Sequence, residues 1–276
     1  MKSKRPEKAM GRVRTGIGGW TFRPWRGVFY PAGTRQGDEL AFASRQVTAI
    51  EINGTYYSRQ KPESFAKWAA ETPDDFVFTL KGSRFVTNRR VLGSASEALD
   101  HFFGQGMEAL HGKLGPILWQ LMATKRFDPD DIARFVELLP SRVGDVALRH
   151  CLEPRHQSFA DPRFVEICRD HGIAICLSDN EAWPLIADLT ADFAYARLMR
   201  GDDSLPTCYP PPELDAWARR LAAYAAGQTP ADLATLLPPT SAPPREVFAF
   251  LIHGGKVRAP QGARRLLELV GTAPTA

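Results

Sequence analysis

Cysteine, histidine and long apolar runs are all scarce in this chain of 276 residues, and each scarcity narrows what it can be. The four cysteines, Cys151, Cys168, Cys176 and Cys208, form no C-x-x-C pair, and three of them lie in apolar stretches where a free thiol behaves as a small core residue. That argues against a disulfide-stapled scaffold and makes a reducing cytoplasm the expected compartment. The six histidines supply neither an H-E-x-x-H nor a finger spacing, so no structural zinc is expected. No apolar run is long enough to span a bilayer, which excludes a helical membrane partner. A dinucleotide fingerprint is missing as well, because Gly16, Gly18 and Gly19 have the wrong spacing for G-x-G-x-x-G and are followed by Trp20. No heptad pattern marks a protein partner.

What remains is a chain with 44% hydrophobic and 24% charged residues, enough to bury a real core. Its opening residues carry Lys2, Lys4, Arg5, Lys8, Arg12 and Arg14 against Glu7, with no apolar centre. Residues 1–12 are therefore expected to form a solvated basic tail, neither a secretory signal nor a dedicated nucleic-acid arm. The net charge of +4 biases the protein mildly toward anionic partners.

From residue 13 to 271 the pattern alternates. Strand-like runs fall at 13–17, 48–52, 76–80, 117–121, 146–153, 173–177, 193–198 and 247–251. Helical periodicity falls at 38–45, 62–70, 94–111, 128–139, 162–171, 211–226 and 259–270. Residues 183–189 are poorly defined, and residues 227–245 form a Pro-rich insertion with no period to assign. Eight strands mostly separated by helices, over about 250 residues, predict an α/β fold of the single (β/α)8 TIM-type barrel class.

In such a barrel every strand's C-terminal end opens on one face, so residues distant in sequence converge there. The stretch after residue 146 is the clearest case. Its apolar run ends in Glu153, Pro154, Arg155 and His156, and a period of two puts Cys151 and Glu153 on the inner face opposite Leu148 and Leu152. His150, on the outer parity, reads as a satisfied core histidine. Other runs end alike, in Glu51 and Asn53, in Lys81, in Gln120, in Asp179 and in Arg197. Buried carboxylates and cations in such numbers need pairing, and a scaffold alone has no use for so many, so a ligand site is expected at this mouth.

The motifs Gly16-Ile-Gly-Gly-Trp20, Trp25-Arg-Gly-Val-Phe-Tyr-Pro31, Glu51-Ile-Asn-Gly-Thr-Tyr-Tyr57, Lys113-Leu-Gly-Pro-Ile-Leu-Trp-Gln-Leu121, Glu153-Pro-Arg-His156 and Thr190-Ala-Asp-Phe-Ala-Tyr-Ala-Arg197 together resemble the YecE-like family. The resemblance runs in order from about residue 13 to 270 and implies a TIM-type barrel, without implying a reaction. Four departures stand out: Thr87-Asn88 where the family pattern has Thr-His, Leu121-Met122-Ala123 for Leu-Pro-Pro, Met199-Arg200-Gly201 after the strand-seven Arg, and Ile252-His253-Gly254-Gly255-Lys256 near the last strand. His253 and Lys256 are local candidates to replace what those departures remove.

Three functions fit these residues. The favoured one is an enzyme acting on a small anionic substrate, a phosphorylated sugar or a nucleotide-like molecule. In it Glu51, Glu153, His156 and Asp179 serve acid-base chemistry, while Trp20, Asn53, Tyr56, Lys81, Gln120, Arg155 and Arg197 bind substrate. The second places a divalent metal among Glu51, Glu153, Asp179 and His156 or His253, for hydrolysis or isomerisation. The third is a non-catalytic module binding nucleic acid or carbohydrate through Trp20, Phe22, Trp25, Phe29 and Tyr30, with Arg23 and Arg26 interleaved. Against the third, such a long aromatic first loop more often packs down as a plug over the barrel.

Overall fold

The computed structural model describes residues 11–271. The expected tail over 1–12 thus lies mostly outside the described residues, and its end is structured: Arg12 opens the first strand and pairs with Asp75 at 2.5 Å. The strands are β1 (Arg12–Gly18), β2 (Ala49–Ile52), β3 (Val77–Lys81), β4 (Leu114–Gln120), β5 (Arg142–Val143), β6 (Val146–Ala147), β7 (His150–Glu153), β8 (Ala174–Asp179), β9 (Phe193–Arg200) and β10 (Glu246–Gly254). The helices are α1 (Glu39–Ala43), α2 (Gly54–Tyr57), α3 (Pro62–Glu71), α4 (Arg84–Thr87), α5 (Ser96–Phe103), α6 (Pro129–Glu137), α7 (Pro162–Asp170), α8 (Pro211–Ala225) and α9 (Ala259–Val270). Eight strands close into a parallel barrel in the order β1-β10-β9-β8-β7-β4-β3-β2, so the TIM-type class holds.

Two layers of core follow from strand parity. Inside the barrel, Ala49, Val77, Leu118, Cys151, Ala174, Cys176, Phe193, Tyr195, Phe248 and Phe250 pack on one another. The alternate residues, such as Leu152, Trp119, Leu80 and Ala249, face the helices. Local chemistry starts the helices where expected. Asp128 and Asp161 cap α6 and α7 by accepting backbone N–H bonds, each followed by a proline at the first helical position. The N-terminal end of the barrel is closed by Glu246, which pairs with Arg14 and, at 2.8 Å, with Arg149. Such a closure serves stability, since active sites of TIM-type barrels lie at the opposite end.

The structure corrects two boundaries and leaves the two unassigned segments without regular structure. The helix expected over 94–111 stops at Phe103, because Gly104 caps it and Gly106 takes φ 86°, after which the chain continues as a 3-10 turn, Met107–Lys113. The strand expected from residue 146 begins at His150; Val146–Ala147 instead pairs with Arg142–Val143 in an antiparallel hairpin around Gly144, at φ 52°. Residues 180–192 carry no helix, so one outer position of the (β/α)8 pattern is unfilled by regular structure. Ile186, Ala187 and Leu189 are buried there instead. Nearby Asp188 accepts the backbone N–H groups of Leu236 and Leu237 at 2.9 Å each, which ties the Pro-rich segment to the barrel although it forms no helix or strand.

The four cysteines are free and buried. No helix among the described residues is long and apolar enough to cross a membrane. His150 faces the helical layer, accepting from Trp119 Nε1 at 3.2 Å through Nδ1 and sharing a 2.8 Å contact between Nε2 and the Pro140 carbonyl. Burial lowers its pKa to about 4. The ring is therefore neutral when folded, and the stability it contributes is present above the ordinary histidine value near 6.5 and lost as pH falls toward 4. We expect the wild-type unfolding free energy to fall by on the order of 3 kcal/mol more across that window than in His150→Gln, measured by urea titration at several pH values.

Candidate active site at the barrel mouth

The inner-face residues that end the strands meet at the C-terminal mouth. Arg197, on β9, lies between two glutamates. Its Nη1 donates to both carboxylate oxygens of Glu153 at 2.8 and 2.9 Å, and its Nη2 donates to Glu51 Oε1 at 3.1 Å. Tyr195, two residues earlier on the same face, donates its hydroxyl to Glu51 Oε2 at 2.8 Å. Gln120 Nε2 donates to Glu153 Oε2 at 2.6 Å, and Arg155 Nη2 approaches the same oxygen at 3.4 Å. Glu51 and Glu153 have no exposed surface, and Arg197 is 2% exposed. Burial on its own would raise the Glu153 pKa. The charges of Arg197 and Arg155, with hydrogen bonds from Arg197 and Gln120, outweigh it and hold the carboxyl below its usual range. Glu153 is thus a standing anion at neutral pH and a weak base, whose evident work is to fix Arg197.

Above this layer opens a cavity of about 750 Å³. Lys81, Arg155, Arg197 and Lys256 line it together with Asn53, Gln60, Gln120, His253 and the rings of Trp20, Tyr57 and Trp183, and among the described residues no carboxylate forms part of its wall. Four basic side chains stand over two buried carboxylates, which leaves positive charge uncompensated. Arg155 stacks on the Trp183 ring at 3.8 Å, an arrangement that a planar guanidinium favours. Nε of Arg155 and Nε of Arg197 are buried without an acceptor. Lys81 lies 4.2 Å from the centre of the Tyr56 ring.

Backbone details shape the mouth. Gly19, at φ 74°, turns the chain out of β1 while its N–H bonds the Glu51 carbonyl at 2.9 Å, and this turn brings Trp20 over the opening. Gly82 lets β3 leave the barrel beside Trp119, whose ring would lie 2.2 Å from any added Cβ. His253 holds φ 80° at the end of β10, where the register with β9 shifts. A histidine in that region is strained by about 1–3 kcal/mol, a cost most often met at functional sites.

Most of the expected site residues converge here. Trp20, Asn53, Lys81, Gln120, Arg155 and Arg197 line the cavity, Glu51 and Glu153 lie under it, and Tyr56 touches it through Lys81. Asp179 does not join them. Ser178 occupies the inner parity of β8, with its Oγ 3.5 Å from Glu153, so Asp179 turns outward to Arg200 at 2.7 Å and to the Tyr209 hydroxyl at 2.7 Å. His156 is also absent from the cavity wall: its Nδ1 accepts the Ser158 N–H at 3.1 Å and caps the short turn Gln157–Phe159. With those two turned away and both glutamates committed to Arg197, the donor set of the metal reading is not assembled; no three His, Cys, Asp or Glu side chains cluster among the described residues.

The aromatic loop is mostly a plug. Trp25 and Tyr30 are 1% exposed, and Trp25 Nε1 donates to the Lys256 carbonyl at 2.7 Å; of the loop's rings Trp20 and Trp25 contribute to the cavity wall, while Phe22 packs against Lys256. Sequence reasoning missed Trp183, which lies in an aperiodic segment, and Tyr195, which the two-residue period from Arg197 does indicate.

Comparison with known proteins agrees with the fold. A DUF72 family protein from Thermotoga maritima MSB8 superposes with a TM-score of 0.71 at 20% identity, covering 94% of this chain and 99% of that one. Among curated sequences, the UPF0759 protein YecE of Escherichia coli K12 is 28% identical over 131 residues, 47% of this chain and 46% of that protein. The UPF0759 protein YunF of Bacillus subtilis 168 is 26% identical over 159 residues, 56% of this chain and 54% of that protein. The aligned part thus spans about half the length of these curated relatives. The family described as "Protein of unknown function DUF72" matches residues 14–276, and the chain belongs to it.

Proposed function

We propose that the protein is an enzyme whose barrel mouth binds a small anionic substrate, a phosphorylated sugar or a nucleotide-like molecule. The observation that carries this reading is the wall of the cavity: Lys81, Arg155, Arg197 and Lys256 contribute to it and no carboxylate among the described residues does. Arg155 and Arg197 are preorganised for the anion by Trp183 and by the two glutamates, so little ordering remains to be done when substrate arrives. Trp20 and Trp183 offer ring faces to a sugar or a base.

The acid-base role first assigned to Glu153 passes to Lys81 in this reading. Burial, followed by the charge of Arg197, lowers its pKa to about 8 despite Glu51 and Glu153. An amine titrating there can give or take a proton near neutral pH, where Glu153 cannot. The test is turnover. A mixture of phosphorylated sugars and nucleotides incubated with the protein, followed by mass spectrometry, should show one component consumed by wild type and not by Lys81→Gln. A panel left unchanged by wild type while Lys81→Gln behaves identically would count against an enzyme of this class.

A further inference from the structure

Buried lysines elsewhere in this chain find acceptors. Lys125 donates to Asp131 at 2.5 Å and to the Arg90 carbonyl at 2.7 Å, and the partly buried Lys113 donates to the carbonyls of Ala69 and Thr72 at 2.6 and 2.7 Å. Lys81 is the exception among them. It is 7% exposed, it lines the mouth cavity, and its Nζ makes no hydrogen bond or ion pair with any described residue. Its ammonium lies over the face of Tyr56. The backbone behind it is pinned, because Thr55 Oγ1 donates to the Lys81 carbonyl at 2.7 Å. Two guanidinium groups, on Arg155 and Arg197, share its cavity.

An ammonium so placed is poorly solvated, lacks a carboxylate at contact distance and is repelled by neighbouring cations. Those are the conditions that free a lysine to act as a nucleophile rather than as a fixed charge. We propose that Lys81 is an imine-forming residue that captures the aldehyde or ketone group of a small anionic carbonyl compound bound by Arg155 and Arg197. The inference rests on the anionic-substrate reading above and adds a carbonyl group and a covalent step to it. The lowered pKa of Lys81 agrees with the geometry, since it leaves a useful fraction of neutral amine at physiological pH.

The step balances without any further reagent. The Nζ lone pair of neutral Lys81 attacks the carbonyl carbon, a C–N bond forms, and the carbonyl π pair moves to oxygen. Transfer of a proton from nitrogen to that oxygen gives the carbinolamine. Protonation of its hydroxyl by one proton from solvent and departure of water leave the protonated imine. In sum, amine, carbonyl compound and one proton become iminium and water. The iminium draws electrons from the adjacent carbon, which favours proton loss or carbon–carbon cleavage there, and hydrolysis by the reverse steps frees the amine.

The experiment is reductive trapping on the full chain. Wild type is incubated with glycolaldehyde phosphate, and separately with glyoxylate, in the presence of sodium cyanoborohydride, then digested and mapped by mass spectrometry. The expected result is labelling of Lys81 at least tenfold faster than of an exposed lysine such as Lys67, with a rate that rises with a midpoint near pH 8. Labelling of Lys81 no faster than Lys67 overturns the proposal. The map reads wild type, so the outcome does not depend on whether Lys81→Arg folds. That variant, where folded, should keep phosphate affinity and lose the fast adduct. Calorimetry with inorganic phosphate separates the two readings. Phosphate binding without fast labelling sinks the imine and leaves the anion site, whereas fast labelling with glyoxylate and no phosphate binding sinks the anionic site while the reactive amine stands.

Discussion

Arg197→Met should destabilise the protein by about 3–5 kcal/mol at pH 7 and reverse the pH dependence of the mouth. Arg197 is the only cation in hydrogen-bond contact with both Glu51 and Glu153 among the described residues, and neither carboxylate reaches water. Removing it leaves two carboxylates with their burial cost and little to offset it. In wild type the Glu153 pKa is lowered, so its stabilisation is present above the unfolded carboxyl pKa and is lost as pH falls through the folded one. In the variant the burial of Glu153 acts without the opposing charge of Arg197 and raises its folded pKa above the unfolded one. The penalty is then full above that raised value and is relieved as pH falls through it. Urea titrations at pH 5 and pH 8 read this directly: acidification should cost wild type stability at this site and restore some to the variant. Adding Glu51→Gln and Glu153→Gln to Arg197→Met should recover most of the loss, because neutral amides need no counter-charge. A single variant within 1 kcal/mol of wild type, with a wild-type pH slope, would show that the cluster is not a coupled charge network.

Arg155→Met should lower the affinity for inorganic phosphate by about ten- to a hundredfold, the loss expected when a charged hydrogen-bond donor is removed. The fold should survive, because Arg155 is only partly buried and Glu153 keeps both its bonds to Arg197. Affinity should also weaken from pH 7 to pH 9, as Lys81 loses its proton near pH 8 and the cavity loses a positive charge. Sulfate is the better probe for that titration, since its own charge is constant over the range. Unchanged affinity in Arg155→Met would move the anion site elsewhere on the molecule.

The parts of the site visible in the sequence were those governed by a period. Glu51, Asn53, Lys81, Gln120, Glu153 and Arg197 all follow the inner parity of a strand, so placing the strands was enough to place them at one mouth. Asp179 fails on the same rule applied one residue late, since Ser178 holds the inner position. His156 fails because capping chemistry after a strand competes with any role at the mouth, and only the fold shows which way the ring turns. Trp183 has no periodic signal at all, yet it sets the orientation of Arg155. Tyr195 was masked by its own chemistry: an aromatic residue in an apolar run reads as core, although its hydroxyl completes the bonding of Glu51. The helices were lost mainly at glycines, where Gly104 and Gly106 end an otherwise continuous apolar stripe.

The most direct measurement is a crystal structure of the wild-type protein grown or soaked in inorganic phosphate at a concentration that saturates it by calorimetry. The account predicts phosphate inside the mouth cavity, hydrogen-bonded to Arg155 and to Lys81 or Arg197, with Glu51 and Glu153 still holding Arg197 from below. An empty mouth, with phosphate bound only at the outer surface, would contradict it.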